Sequence, residues 1–356
     1  VPIVNISELG GWPGVLRRLN GHDDLTAAEA GAVLTEILEG TATPALIAAY
    51  VTALRMKGET IEELSGMVEA MLDASEPVVL PDGVDPVDTC GSGGSPSRRV
   101  AAFNVSTIAS FVIAGAGGTV CKHGGRAATA TSSSADLLEA LGVAVELGSV
   151  GVGRCLSEAG MAFCFAPRFH PAMRHAGPTR RELGVPTVFN FLGPLANPAR
   201  VRRQVLGVSD PAMAAKLAGV LHARGAVRAL VVHGHDGLDE LTTLTTSSVI
   251  ELRDGELRSY TVDPADLGVH HDDPAAVQGG DVTANVELTH RVLDGERIAH
   301  RDLVLLNAAA GLVAAGVVDD LATGLEAGGE AIDQGRAASV LEDLVRASKA
   351  AEAEGL

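Results

Sequence analysis

Asp88-Thr89-Cys90-Gly91-Ser92-Gly93-Gly94, then Asn104-Val105-Ser106-Thr107, then Thr119-Val120-Cys121-Lys122-His123-Gly124-Gly125-Arg126 is the stretch that decides the fold. A short strand-like run ends in glycines, Ser106–Ile113 reads as a helix, and a second strand over Thr119–Cys121 runs into a basic, glycine-rich turn. Strand, helix and strand in that order predict a parallel pair joined by a crossover helix. The glycine turn frees backbone N–H groups to face a polyanion, and Lys122 adds charge beside it. A helix start furnished with hydroxyls also favours an anion. The alternative is an ordinary turn capped by Asn104 or Ser106. No Gly-Lys-Ser/Thr follows the turn and its glycines lack dinucleotide spacing, so neither of those nucleotide fingerprints applies.

The same alternation continues outward. A helix is expected from Ser134, strands at Met161–Phe165, Gln204–Val208 and Ala229–Val232, and a helix over Pro211–Arg224. Asp254-Gly255 predicts one hairpin, and the chain from Asp302 is alanine-rich and helical. Upstream, Thr26-Ala27-Ala28-Glu29 and Thr60-Ile61-Glu62-Glu63 are capping boxes, and Thr43-Pro44 is a third helix start. The expected class is therefore α/β: a mainly parallel sheet with crossover helices plus a small all-helical domain. The helical domain is assigned to residues 1–75, with the Arg-rich segment 169–198 joining it, and the α/β domain to 76–168 and 199–356. The mouth between the helices and the strand ends is the expected cleft.

Composition narrows the function. With 27 Lys and Arg against 45 Asp and Glu, the net charge is −18, a poor match for nucleic acid. No apolar run of spanning length occurs, so no membrane partner is expected. No secretory signal is visible at Val1-Pro2-Ile3. Cys90, Cys121, Cys155 and Cys164 lack paired spacing and read as free thiols of a reducing cytoplasm. A protein this acidic must concentrate positive charge locally to hold a phosphate ester.

Three further features carry chemistry. Asp239-Glu240 follows a strand and the loop His233-Gly234-His235-Asp236-Gly237. Adjacent carboxylates suit a hard cation such as Mg2+, or are a solvated acidic loop. A zinc role for His233 and His235 has weak spacing support. Arg180 and Arg181 suit a bidentate grip on a carboxylate, or a solvated helix face. His123 alone reads more readily as structural than catalytic. No glycine-framed serine nucleophile is present.

Together these segments resemble the anthranilate phosphoribosyltransferase family over nearly the whole chain. The likeness rests on the glycine turn, Asn104-Val105-Ser106-Thr107, Lys122-His123-Gly124 and Ser134-Ala135-Asp136-Leu137-Leu138. It extends through Phe163-Cys164-Phe165-Ala166-Pro167-Arg168-Phe169-His170-Pro171, Arg180-Arg181-Glu182-Leu183-Gly184 and Leu238-Asp239-Glu240. Nucleoside phosphorylases share the fold and the Lys-His-Gly turn, but Phe189-Asn190-Phe191-Leu192-Gly193-Pro194-Leu195 favours the transferase branch.

The resemblance implies that phosphoribosyl pyrophosphate is held by Gly91, Gly93, Gly94, Asn104, Ser106, Thr107, Lys122 and Ser134. It implies Mg2+ on Ser106, Asp239 and Glu240, the anthranilate carboxylate on Arg180, and His123 and His170 near the acceptor. Lys122, Arg180 and His123 are the residues expected to carry catalysis, with a cytoplasmic homodimer as the assembly. The chain departs from the family pattern at several places, among them Ala102 where a Thr or Ser is usual. Ser95 replaces an Asp, Gly125 replaces an Asn at a ligand-facing position, Ser133 replaces a Gly, and an insertion brings in Arg98 and Arg99. These changes leave open a transferase with a changed donor or aromatic acceptor, and a non-catalytic binding protein on the same fold.

Overall fold

A computed structural model describes residues 5–93, 103–126 and 132–356. Gly94, Ser95, Arg98, Arg99 and Ala102 lie outside the described residues. After α1 (Gly11–Asn20), helices α2 (Ala27–Leu38), α3 (Pro44–Lys57) and α4 (Ile61–Asp73) start where the threonines direct them. Thr26 and Thr60 close complete capping boxes with Glu29 and Glu63, and Thr43 caps α3 ahead of Pro44. Each cap satisfies amides that the first helical turn leaves orphaned, contributing about 1 kcal/mol. The apolar stripe Val33, Leu34, Ile37 and Leu38 of α2 is buried with Leu64, Met67 and Met71 of α4.

Beyond this bundle the chain alternates. β1 (Val87–Gly91), α5 (Val105–Gly115), β2 (Val120–Gly124), α6 (Ser134–Ala140), α7 (Ser149–Ala159) and β3 (Met161–Phe165) follow in order. Short helices α8 (Gly177–Leu183) and α9 (Phe189–Leu195) then lead to β4 (Arg203–Gly207), α10 (Pro211–Ala223) and β5 (Arg228–Gly234). β6 (Ser247–Arg253) and β7 (Glu256–Val262) precede α11 (Val282–Leu293), α12 (Ala299–Ala315), α13 (Leu321–Asp333) and α14 (Arg336–Ala353). The turn joining β6 to β7 is Asp254-Gly255, both at positive φ (54° and 78°), the conformation a two-residue hairpin demands.

Among the described residues the strands form one sheet in the order β3-β2-β1-β4-β5-β6-β7. The first five are parallel and the last two antiparallel. The chain winds outward from β1 to β3 and returns to pair β4 with the free side of β1. That reversal opens a crevice at the strand C-terminal ends, between β1 and β4.

Alternation along the central strands divides two cores. Val205, Leu230 and Val232 join the core formed with α5, α12 and α14. Leu206, Ala229 and Val231 face the opposite way, into a core shared with α1–α4, α9 and α10. Ala176, Val188, Phe189, Phe191 and Leu192 of the Arg-rich excursion pack into this second core. No described helix is long and apolar enough to cross a membrane.

Candidate active site

Four parallel strands end in glycine at the crevice: Gly91 of β1, Gly124 of β2, Gly207 of β4 and Gly234 of β5. Gly91 and Gly207 are direct partners across the β1–β4 pair. A Cβ on Gly207 would stand 1.7 Å from the Asp239 carbonyl oxygen, and one on Gly91 would stand 2.3 Å from Asp239 Oδ2. The paired glycines therefore make the slot into which Asp239-Glu240 descends. Asp239 is fully buried and Glu240 nearly so, which corrects the reading of a solvated acidic loop. Gly93, at φ +66°, donates its N–H to Asp239 Oδ2 at 3.0 Å. That left-handed backbone strains any side-chain-bearing residue. Ser209, absent from the sequence-based site, donates from Oγ to the Gly93 carbonyl at 2.7 Å and so fixes the turn.

Lys122 lies inside β2, 1% exposed, rather than in a turn after it. Its Nζ donates to the Thr89 carbonyl and, at 3.2 Å, to Ser106 Oγ. Ser106 in turn donates its backbone N–H to Glu240 Oε1 at 3.1 Å. Thr107 Oγ1 donates to Ser134 Oγ at 3.0 Å, tying α5 to α6. One continuous run of hydrogen bonds thus joins Lys122, Ser106 and Glu240, and Gly93 is bonded to the neighbouring Asp239.

Neither candidate cap closes α5. Asn104 takes the cap position with no side-chain cap bond. Its Oδ1 instead accepts from Ser132 Oγ at 2.9 Å and from Asn285 Nδ2 at 3.0 Å. Ser132 and the fully buried Asn285 of α11 were missed by sequence reasoning, because neither stands in a recognisable pattern. Ser133 has a local explanation: its hydroxyl caps α6 in a capping box with Asp136. Arg126, the basic end of the Lys-His-Gly turn, pairs with Asp136 at 2.8 Å and Glu139 at 2.7 Å. Gly125 packs beside Ala166 and Pro167; a Cβ there would meet Ala166 Cβ at an ordinary 3.5 Å.

His123 and His170 stand together on the other side of Lys122, ring centroids 5.2 Å apart. His123 Nδ1 bonds the Gly193 carbonyl at 3.1 Å and His170 Nε2 the Ala196 carbonyl at 2.8 Å. A carbonyl accepts only, so each of these nitrogens carries the proton. His123 Nε2 is left as a buried acceptor with no hydrogen-bond partner among the described residues. Burial, then the neighbouring His170, holds the His123 imidazole well below its ordinary range, at about 3. Burial lowers His170 in the same direction.

Asp88, also missed, anchors this wall from beneath. It is fully buried, accepts from the His123 N–H and from Asn197 Nδ2, both at 3.0 Å, and burial raises its pKa while Lys122 opposes the rise. A carboxylate inside the strand-like run Val87–Cys90, just before the glycine turn, was the available signal. Arg180 sits apart from these groups, over the Phe189 ring at 5.3 Å. Burial lowers its pKa, and no carboxylate among the described residues pairs with it. His235 engages Thr246 Oγ1 at 2.8 Å and Ser248 Oγ at 2.7 Å through its two ring nitrogens, which argues against zinc ligation there.

The histidine burial has a pH consequence. An unfolded imidazole titrates near 6.5, so between there and about 3 the unfolded chain binds the proton that folded His123 refuses. Stability contributed by neutral His123 is therefore lost as pH falls below about 6.5, by roughly 2 kcal/mol at pH 5. Urea unfolding of His123→Gln against the parent at pH 7 and pH 5 should show a smaller acid loss in the variant. Equal losses would contradict the assignment.

The helical segment matches the family pattern described as the helical bundle domain of the glycosyl transferase family, over residues 13–75. Residues 83–338 match its a/b domain. The chain is 52% identical over 328 residues to the anthranilate phosphoribosyltransferase of Chloroflexus aggregans, covering 92% of this chain and 95% of that protein. It belongs to the anthranilate phosphoribosyltransferase family. A second relative with that name, from Roseiflexus castenholzii, is 49% identical over 94% of this chain and 97% of its own. The Thermus thermophilus member superposes with a TM-score of 0.88 at 39% identity, covering 94% of this chain and 99% of that one. The Saccharomyces cerevisiae member, solved in complex with PRPP and Mg, gives 0.85 at 26% identity over 95% and 98%. Another structure of the yeast member carries 4-fluoroanthranilate, at a TM-score of 0.84 and 25% identity over 96% and 99%.

Proposed function

We propose that this chain transfers the phosphoribosyl group of phosphoribosyl pyrophosphate to the amine of anthranilate, releasing pyrophosphate. The observation that carries the reading is the hydrogen-bonded run Lys122–Ser106–Glu240, with Gly93 on Asp239, at the crevice between β1 and β4. Residues 1–75 and 169–198 form the helical side of the cleft in this reading. By family resemblance alone, the enzyme works as a cytoplasmic homodimer.

Ser106 Oγ, Asp239 and Glu240 offer oxygen donors only, which fits Mg2+, a cation that takes one or two carboxylates together with substrate phosphates. The bound ion would neutralise charge on the departing pyrophosphate. Lys122 supplies a second positive charge on that side, and Gly91, Gly93, Asn104, Thr107 and Ser134 line the donor. The amine nitrogen bonds to the ribose carbon as the carbon–oxygen bond to pyrophosphate breaks, and the proton the amine gives up passes to the departing pyrophosphate or to water. No protein nucleophile is needed; holding the amine against the cation-like carbon supplies much of the acceleration. His123 Nε2 is an acceptor for an amine N–H, and Arg180 receives the carboxylate. Gly94, Ser95 and Gly125 complete the proposed donor contacts.

Incubation with anthranilate, phosphoribosyl pyrophosphate and Mg2+ should deplete anthranilate fluorescence, and no turnover at high substrate would refute the reading. Arg180→Lys keeps the charge but loses the fork. It should raise the anthranilate KM by about tenfold or more with the donor KM nearly unchanged. A uniform fall in kcat alone would remove Arg180 from that role.

A further inference from the structure

α12 is buried along most of its length against the sheet: Leu303 to Leu306 and Ala308 to Ala310 are all buried. Asn307 interrupts that run, 5% exposed. A buried amide is costly unless its hydrogen bonds are met. Asn307 meets two of them on one residue of the opposite loop. Its Oδ1 accepts from the Leu241 N–H at 3.0 Å and its Nδ2 donates to the Leu241 carbonyl at 2.9 Å. The second Nδ2 hydrogen goes to the Leu303 carbonyl one turn back, also at 2.9 Å. The side chain therefore presents to Leu241 the donor and acceptor that a neighbouring strand would have offered, with the amide orientation fixed by all three bonds.

Leu241 directly follows Glu240 and is itself fully buried. A small cavity bounded by Asn307, Ser106, Asp239 and Glu240 lies between the helix and the carboxylates. From the other side, Gly91 and Gly207 admit Asp239 without pulling on it. The descending loop is thus admitted by two glycines and clamped by one asparagine. We propose that Asn307 is a positioning residue: it sets the depth and orientation of Asp239 and Glu240 as cation ligands without touching the cation or the substrate. This rests on the functional reading above, in which that pair binds Mg2+.

The test is phosphoribosyl pyrophosphate binding to the full chain, titrated at a series of Mn2+ concentrations without anthranilate, so that nothing turns over. Asn307→Ala and the milder Asn307→Ser are compared with the parent and with Leu34→Ala, a core truncation in α2. The Mn2+ concentration for half-maximal donor binding should rise by about tenfold or more in both Asn307 variants, with donor affinity at saturating Mn2+ largely restored. Leu34→Ala should lower the melting temperature without moving the Mn2+ requirement. If Asn307→Ala does not fold, Asn307→Ser decides. An unchanged Mn2+ requirement in a folded Asn307 variant would overturn the inference, as would an equal shift in Leu34→Ala. A parent whose donor binding ignores Mn2+ altogether would instead overturn the functional reading beneath it.

Discussion

Replacing Lys122 with Met is expected to lower kcat/KM for the phosphoribosyl donor by about a thousandfold while leaving the helical circular-dichroism signal intact. Methionine keeps the length of the stem and loses the charge. Lys122 is 1% exposed, so this charge acts where water screens little, which is why its removal outweighs loss of a surface cation. Its ammonium is held between the Thr89 carbonyl and Ser106 Oγ, a setting for a compact point charge. Lys122→Arg should therefore rescue poorly, since a planar guanidinium cannot occupy the same two contacts. Lys122→Met should also raise the Asp88 pKa further, because Lys122 is the positive charge that opposes the effect of burial there. Steady-state kinetics against both substrates tests this, and a loss below about tenfold would exclude Lys122 from charge stabilisation.

Gly207→Ala is expected to damage the site more than any other single-methyl change among the glycines that border the carboxylates. The added carbon would fall 1.7 Å from a backbone oxygen of Asp239, so no rotamer can relieve the clash. Either β4 separates from β1 or the Asp239-Glu240 loop rises from its slot. We expect a stability loss of about 2–3 kcal/mol together with at least a hundredfold fall in activity. Gly237→Ala offers the contrast: that residue has φ +86° and nothing near its missing side chain, so only backbone strain should register. Chemical denaturation and kinetics on both variants separate the two effects. A Gly207→Ala enzyme with parental activity would show that the slot is not needed.

The fold was legible because its signals are local. Capping threonines at 26, 43 and 60, the alternation from Val84 onward and the Asp254-Gly255 turn each act within a few residues, and each element formed where its signal stood. Strand ends were less secure. β2 runs to Gly124 because Lys122, His123 and Gly124 all pair with β3, and periodicity gives no warning that a lysine will be buried in a strand. At the site, the groups read from motifs were those with distinctive chemistry in short runs. Besides Asp88 and Ser132, four that were missed act across long sequence separations: Asn285 on Asn104, Asn307 on Leu241, Asn197 on Asp88 and Ser209 on Gly93. Each is a neutral side chain whose partner is brought to it only by the folded sheet. The Asn104 cap failed for the same reason, since bonds to Ser132 and Asn285 outcompete a local one.

The division of β4 and β5 between two cores also limits how this architecture can be rebuilt. Leu206, Ala229 and Val231 are covered by the helices, while their immediate neighbours Val205, Leu230 and Val232 are covered from the opposite side. A fragment severed after the N-terminal helices would bare to water the face of α10 that packs on α4. Such a surface invites self-association. The helical half is therefore not an interchangeable cap. Exchanging it for another would mean rewriting the outer face of α10, the helix that itself covers β5, so a change of helical half would reach the strand that ends at Gly234 through one intervening layer.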